Sequence, residues 1–263
     1  PGVDDEEVLE APRVRHMLVA GEHQVDAALL EDLEQVAGVE ALLRWNHPVR
    51  GIVPPADFIP LAEEVGLIVP LGYWVIHQAC EDMRAMDARG VDPIHIAVNL
   101  SFKQFADEKF AQTVGNIIDA AGIDARRLEF ELTETAIMSN VEDIERCMQV
   151  IRELGPTFSL DDFGTGYSSF AHIQRLPIGA LKIDRSFVKN VNTTHDDATI
   201  VKAMISLAHN LGLKVIAEGA ETGAQVDFLR DHACDQVQGY FFSRPLPFVD
   251  LLEKIQRTFM PAS

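Results

Sequence analysis

Residues 128–161 read LEFELTETAIMSNVEDIERCMQVIRELGPTFSLD, and this stretch decides the fold class. LEFEL at 128–132 is a short apolar run of strand length. Residues 141–154 then place Val141, Ile144, Met148 and Ile151 at helical spacing, and Gly155 follows as a stop signal. FSLD at 158–161 returns to a strand-like run. Strand, helix, strand within so few residues predicts two parallel neighbours with the helix packed outside them.

The same alternation extends in both directions. Strand candidates stand at 95–100 (HIAVNL), 180–183 (ALKI), 214–217 (KVIA) and 235–238 (DQVQ), with helical patterns at 110–121, 197–211 and 223–231. Gly122 and Gly212 close two of those helices. VEALLR at 39–44 adds a seventh strand, and the region before Asp26 is expected to supply an eighth. Eight β/α units in about 250 residues is the size of a TIM-like (β/α)8 barrel. A doubly wound open sheet is the alternative, but no GxGxxG or GxxxxGK[ST] follows any strand. Residues 36–263 read as one barrel domain, with 61–76 as a helical segment covering it. Residues 1–35 form a poorly readable N-terminal segment and first-strand region, and Glu31 to Gln35 is helical in composition where a barrel hairpin belongs.

Composition narrows the function. The chain has 263 residues, 47% hydrophobic and 24% charged, with a net charge of −19. That apolar content excludes a disordered chain, and so acidic a surface opposes duplex nucleic acid, whose affinity rests on phosphate neutralisation. Three dispersed cysteines, Cys80, Cys147 and Cys234, form no CxxC pair and argue for a reducing, cytoplasmic setting. The apolar stretch 65–76 is too short to span a bilayer, so no membrane contact is expected from this segment. The acidic PGVDDEEVLE end does not read as a secretory signal, and a start at Pro1 rather than Met fits a fragment of something longer; the expected location is cytoplasmic, with the cytoplasmic part of a longer, membrane-attached protein as the variant of that expectation.

The chemistry lies at the strand ends. Asn99 closes HIAVN, Glu131 and Glu134 follow LEF, Asp161 and Asp162 follow FSL, Glu218 closes KVIA, Gln238 closes DQVQ, and Glu40 belongs to VEALLR. A single acid after a strand is ordinarily a helix cap or first-turn charge. In a barrel, however, all these ends open on one face. Glu40, Glu131, Asp161, Asp162 and Glu218 would then meet with only Lys182 as a nearby cation, and they repel unless protons or divalent ions intervene. Carboxylates with an amide oxygen favour Mg²⁺ or Mn²⁺, and a pair of such ions suits phosphodiester hydrolysis. Beyond Asp162, the loop carrying Gly164 and Gly166 can approach a ligand closely, or serve as a tight connection whose Ser168 caps the next helix.

These residues resemble the EAL-domain cyclic di-GMP phosphodiesterases. The motifs run in order: EALLRW from Glu40 with NHP and Gly51, NLS from Asn99, ELTE from Glu131, DDFGTGYSS from Asp161, LKIDRSF from Leu181, AEGAE from Ala217, and QGY from Gln238 with FSRP. The resemblance implies a barrel with one early strand antiparallel and Mg²⁺- or Mn²⁺-dependent opening of cyclic di-GMP to linear pGpG. It implies that Glu40, Asn99, Glu131 and Asp161 hold one ion, with Asp161 bridging to a second near Asp162. Glu218 would be a second-ion ligand or the general base, and Lys182 would orient the attacking water. Arg44 would bind a phosphate, with Leu42, Ser101, Asp184, Gln238 and Arg244 as further substrate contacts. Glu134 and Glu221 would support the site from behind, Glu134 by anchoring the glycine loop. The family also implies a homodimer and attached sensor or cyclase domains. One departure stands out: Glu22 occupies the place of an expected glutamine. That difference motivates a second reading, a regulatory module that binds the dinucleotide without cleaving it. A third, an unrelated Mg²⁺-dependent barrel with a lysine base, leaves the glycine loop unexplained.

Overall fold

The computed structural model describes residues 24–31, 35–91, 93–134, 141–166 and 173–259. Strands β1 (Gln24–Glu31) and β2 (Gln35–Leu42) open it, followed by a small hairpin of β3 (Trp45–His47) and β4 (Gly51–Val53). Helices α1 (Pro55–Glu64) and α2 (Ile68–Ala88) precede β5 (His95–Asn99) and α3 (Phe110–Ala121). Strand–helix alternation continues through β6 (Leu128–Thr133), α4 (Val141–Glu153), β7 (Thr157–Phe163), β8 (Ala180–Ile183), the single turn α5 (Arg185–Val188) and α6 (His195–Asn210). It closes with β9 (Lys214–Ala217), α7 (Gly223–Asp231), β10 (Gln236–Val237), β11 (Leu246–Pro247) and α8 (Phe248–Phe259).

The main sheet runs β10-β9-β8-β7-β6-β5-β2-β1-β11. From β2 to β10 every pairing is parallel, and β1 is antiparallel to both β2 and β11. The antiparallel early strand is therefore present. β1 also lies against β10, so the sheet curls towards closure as a TIM-like barrel rather than an open doubly wound layer.

Sequence pattern explains the layers. Strands buried on both faces need apolar residues throughout, and ALKI of β8 is wholly buried, lysine included. The helices bury one stripe each: Phe110, Val114 and Ile118 on α3; Ile144, Met148 and Ile151 on α4; Val201, Ile205 and Ala208 on α6. Gly122 ends α3 in the left-handed conformation, its amide donating to the Ile118 carbonyl at 3.0 Å. Phe105 and Phe110 pack ring on ring in the core, 5.3 Å apart.

Several expectations need correction. Glu31 and Gln35 are not helical: they face each other at the end of the β1–β2 ladder. A partner strand supplies their hydrogen bonds, and this tertiary gain overrides local composition. The eighth strand spans Asp26 and continues to Glu31 instead of preceding Asp26. The segment 61–76 is two helices, broken at Gly66, whose φ of 77° suits a residue without a β-carbon. The hairpin β3–β4, β11 and α8 have no counterpart in the sequence reading. Glu22 and Ser168 lie outside the described residues.

Candidate active site

Parallel register sets the site. Asn99 lies opposite Glu131 across β5–β6, Glu131 opposite Ser159 across β6–β7, and Glu40 beside Ala97 across β2–β5. Strand side chains alternate between faces, so Glu40, Asn99, Glu131, Asp161, Lys182 and Glu218 point into one end of the barrel.

Lys182 stands at their centre and is 0% exposed. Its Nζ lies 2.6 Å from Glu218 Oε1, 2.7 Å from Glu131 Oε1, and 3.7 Å from both Glu40 Oε2 and Asp161 Oδ1. Asn99 donates through Nδ2 to Glu40 Oε1 at 2.6 Å, and Gln238 donates through Nε2 to Glu40 Oε2 at 2.8 Å. Both oxygens of Glu40 are thus oriented by amides from opposite sides.

Burial governs the electrostatics. It would lower the Lys182 ammonium, but the charges of Glu131, Glu218, Glu40 and Asp161 outweigh it and hold the group well above its usual value. Burial lifts Glu131 well above the carboxylate range, with Glu40 and Asp161 adding repulsion against the pull of Lys182. Glu218 is pushed by burial up to about 7, with Lys182 opposing and Asp161 and Glu40 reinforcing. At Glu40 burial raises the carboxyl, yet Lys182 and the bonds from Gln238 and Asn99 bring it below its ordinary value. Asp162 is raised by burial and by the neighbouring Asp161 and Asp184.

The strand end of β7 is bent for the purpose. Asp162 has φ 56°, and its amide donates to Asp161 Oδ1 at 2.8 Å, fixing that carboxylate as the chain turns out of the sheet. Behind it, the buried Glu134 accepts from the amides of Gly164 at 3.0 Å and Gly166 at 3.2 Å. A β-carbon on Gly166 would stand 2.9 Å from the Glu134 carboxyl carbon, which explains the glycine. Replacing Glu134 by Ala is expected to cost about 1–3 kcal/mol, the penalty of unsatisfied buried donors. Turnover should fall with it as Asp161 and Asp162 lose their register. Denaturant unfolding beside an activity assay checks this, and an unchanged midpoint with full activity would contradict it.

Other sequence candidates hold partners outside the cluster. Ser101 donates to Glu63 Oε1 at 2.6 Å. Asp184 caps α5 by accepting from the Ser186 amide at 3.0 Å and from the Ser186 hydroxyl. The Arg244 guanidinium lies over the Tyr240 ring at 4.6 Å, and Glu221 is exposed with its amide donating to Gln225 Oε1 at 2.8 Å. Leu42 ends β2, and the half-buried Arg44 donates to the Leu43 carbonyl at 2.9 Å. Glu63, on the last turn of α1, was missed. Its bond to Ser101 spans 38 residues, and no local pattern announces it.

Among the described residues, no three His, Cys, Asp or Glu side chains stand as a formed ion cage; the carboxylates converge on the ammonium instead. The donor set nevertheless fits a hard divalent ion. Glu131 Oε2 is buried without a hydrogen-bond partner, and Asn99, whose amide nitrogen donates to Glu40, carries a hard oxygen that this bond does not use.

Comparison with known proteins identifies the family. The EAL domain model matches residues 32–245. Cyclic di-GMP phosphodiesterase NbdA of Pseudomonas aeruginosa is 44% identical over 219 residues, covering 83% of this chain and 28% of NbdA. The bifunctional diguanylate cyclase/cyclic di-GMP phosphodiesterase MucR of the same organism is 42% identical over 218 residues, covering 83% of this chain and 32% of MucR. The chain thus spans less than a third of the length of these curated relatives. Among solved structures, the PaMucR phosphodiesterase in complex with c-di-GMP superposes with a TM-score of 0.85 at 38% identity, covering 93% of this chain and 99% of that one. The EAL enzyme Bd1971 in its cAMP- and cyclic-di-GMP-bound form gives 0.86 at 30% identity, covering 95% and 69%.

Proposed function

The chain belongs to the EAL domain family, and on that footing we propose that it is a metal-dependent phosphodiesterase that opens cyclic di-GMP to linear pGpG. The observation that carries the reading is the gathering of Glu40, Glu131, Asp161 and Glu218 around the buried Lys182. In the reaction a water oxygen bonds to phosphorus, the P–O3′ bond breaks, and the 3′ oxygen gains a proton, leaving a 5′-phosphate.

Glu40, Asn99, Glu131 and Asp161 would hold one Mg²⁺ or Mn²⁺, and Asp161 and Asp162 would serve a second. Bound there, two divalent ions make water nucleophilic at neutral pH and offset phosphate charge. Lys182 orients the water from between Glu131 and Glu218. Glu218, with an affinity for protons near neutrality, serves as a ligand of the second ion or takes the water's proton. Arg44 pairs with a phosphate. Gln238 acts through its bond to Glu40, and Leu42, Asp184 and Arg244 contact the dinucleotide at the rim. Residues 36–263 act as one domain. The reading extends to a cytoplasmic homodimer with sensor or cyclase domains attached; among the described residues, no helix is long and apolar enough to cross a membrane.

Incubating the purified protein with cyclic di-GMP and Mg²⁺ or Mn²⁺ should yield pGpG, and chelation should stop it. Intact substrate after hours with both metals would defeat the proposal. A pH signature follows. Ligand carboxylates must be deprotonated to bind a cation, so metal loading releases the proton that Glu218 carries below about 7. Glu131, a ligand in this reading and held well above the carboxylate range, must lose its proton as well, so apparent Mg²⁺ affinity should rise with pH by about tenfold per unit for each proton released. Titration calorimetry in buffers of different ionisation enthalpy measures the proton count; no release at pH 6 would contradict the assignment.

A further inference from the structure

Residues 43–71 carry an apolar cluster of their own, separate from the barrel core. Val53, Phe58, Ala62 and Ile68 are buried in it, with Leu43 and Trp45 packed around them. Leu43 and Trp45 flank Arg44, so the side chains on either side of that arginine pack in this lobe, beyond the end of β2. Trp45 meets Phe58 edge-on, ring centroids 5.9 Å apart, which fixes α1 against the hairpin.

Helix α2 carries this cluster on into the barrel core, with Tyr73 donating to Asp107 Oδ2 at 2.8 Å; at the α1 end, two further contacts reach the mouth of the barrel, and both use Glu63. Its Oε1 accepts from Ser101 Oγ at 2.6 Å, and its backbone carbonyl accepts from Lys103 Nζ at 2.9 Å. Ser101 stands two positions beyond Asn99, and its hydroxyl oxygen also accepts from the Lys103 amide at 3.3 Å. A hydroxyl has one proton, and that of Ser101 is committed to Glu63.

We infer that Glu63 is a positioning residue: through Ser101 it latches the lobe onto the metal-ligand strand end and so sets Arg44 over the scissile phosphate. Ser101 is then a strut, not a donor to the dinucleotide. The inference rests on the phosphodiesterase reading for the role of Arg44, but the latch itself is observable without turnover.

The test compares wild type with Glu63→Ala, Glu63→Gln, Arg44→Ala and the Glu63→Ala/Arg44→Ala double variant. Glu63→Ala should raise KM for cyclic di-GMP about fivefold or more while kcat stays within about twofold, the mark of lost binding rather than lost chemistry. Glu63→Gln keeps an oxygen for Ser101 and should behave as wild type. The double variant should be no worse than Arg44→Ala alone, because both changes remove one function. Full additivity, or a Gln variant as impaired as the Ala variant, overturns the inference. Both tryptophans of the chain, Trp45 and Trp74, pack in the lobe, so acrylamide quenching reads its docking independently of activity. Quenching should increase in Glu63→Ala and not in Glu63→Gln; no change overturns the latch. If wild type leaves cyclic di-GMP intact, the enzymatic reading falls and quenching alone judges the latch. Should Glu63→Ala fail to fold, Ser101→Ala cuts the same bond from the other side and takes its place.

Discussion

Replacing Lys182 by Met is expected to abolish turnover and to make stability depend steeply on pH. In wild type the buried ammonium balances Glu131, Glu218, Glu40 and Asp161. Removing one partner of a buried charge set leaves the rest uncompensated, at a cost of about 3–5 kcal/mol. In a domain of this size that lowers Tm by about 10 °C or more. The sign with pH is definite. Without Lys182 the carboxyls lose the influence that pulls each of them down, so their folded values lie above their unfolded ones. Such groups bind more protons folded than unfolded, and their stability is present at acid pH and lost as pH rises. The gap from wild type should be small near pH 5 and large near pH 8. Mg²⁺ should narrow it at pH 8, because an ion that binds only the folded chain stabilises it. Thermal melts at both pH values, with and without Mg²⁺, measure this. Equal melting of the two proteins at pH 8 would refute the account of Lys182 as the balancing charge.

Glu40→Gln should cost about a thousandfold or more in kcat while leaving the barrel folded. The side chain keeps its shape, yet both oxygens of Glu40 now accept from amide donors, Asn99 on one side and Gln238 on the other. A glutamine has one oxygen, so its NH₂ must face a donor. That leaves a buried unsatisfied pair worth about 1–3 kcal/mol and also removes a charge from the proposed ion site. Losses of about 10²–10³ accompany removal of a single preorganised electrostatic contact, and Glu40 combines that loss with a displaced Asn99. Single-turnover kinetics with circular dichroism would check it. Activity within tenfold of wild type would show that Glu40 is not a metal ligand.

Between residues 95 and 238 the architecture was readable because it is local. LEFEL, FSLD and ALKI are buried on both faces and carry apolar runs, and Gly122 and Gly155 mark the helix ends. The acids at the strand ends were readable for a related reason: a barrel brings those ends together whatever their separation along the chain. What could not be read depends on partners far away in sequence. Glu31 and Gln35 carry helical composition, and only pairing across the β1–β2 ladder makes them strand. The β3 and β4 strands are three residues each, too short for a period to register. Glu63 looks like any acid at the end of a surface helix until the fold sets Ser101 against it.

The reversed direction of β1 has a mechanical consequence. In an all-parallel barrel the first strand begins at the floor, remote from catalysis. Here Gln24 is level with Leu42, and Asp26 with Glu40. Strand β1 therefore starts at the rim and two residues later lies opposite Glu40, a carboxylate of the Lys182 cluster. A force on the start of β1 would therefore reach the Lys182 cluster through Glu40, its ladder partner, without crossing the barrel.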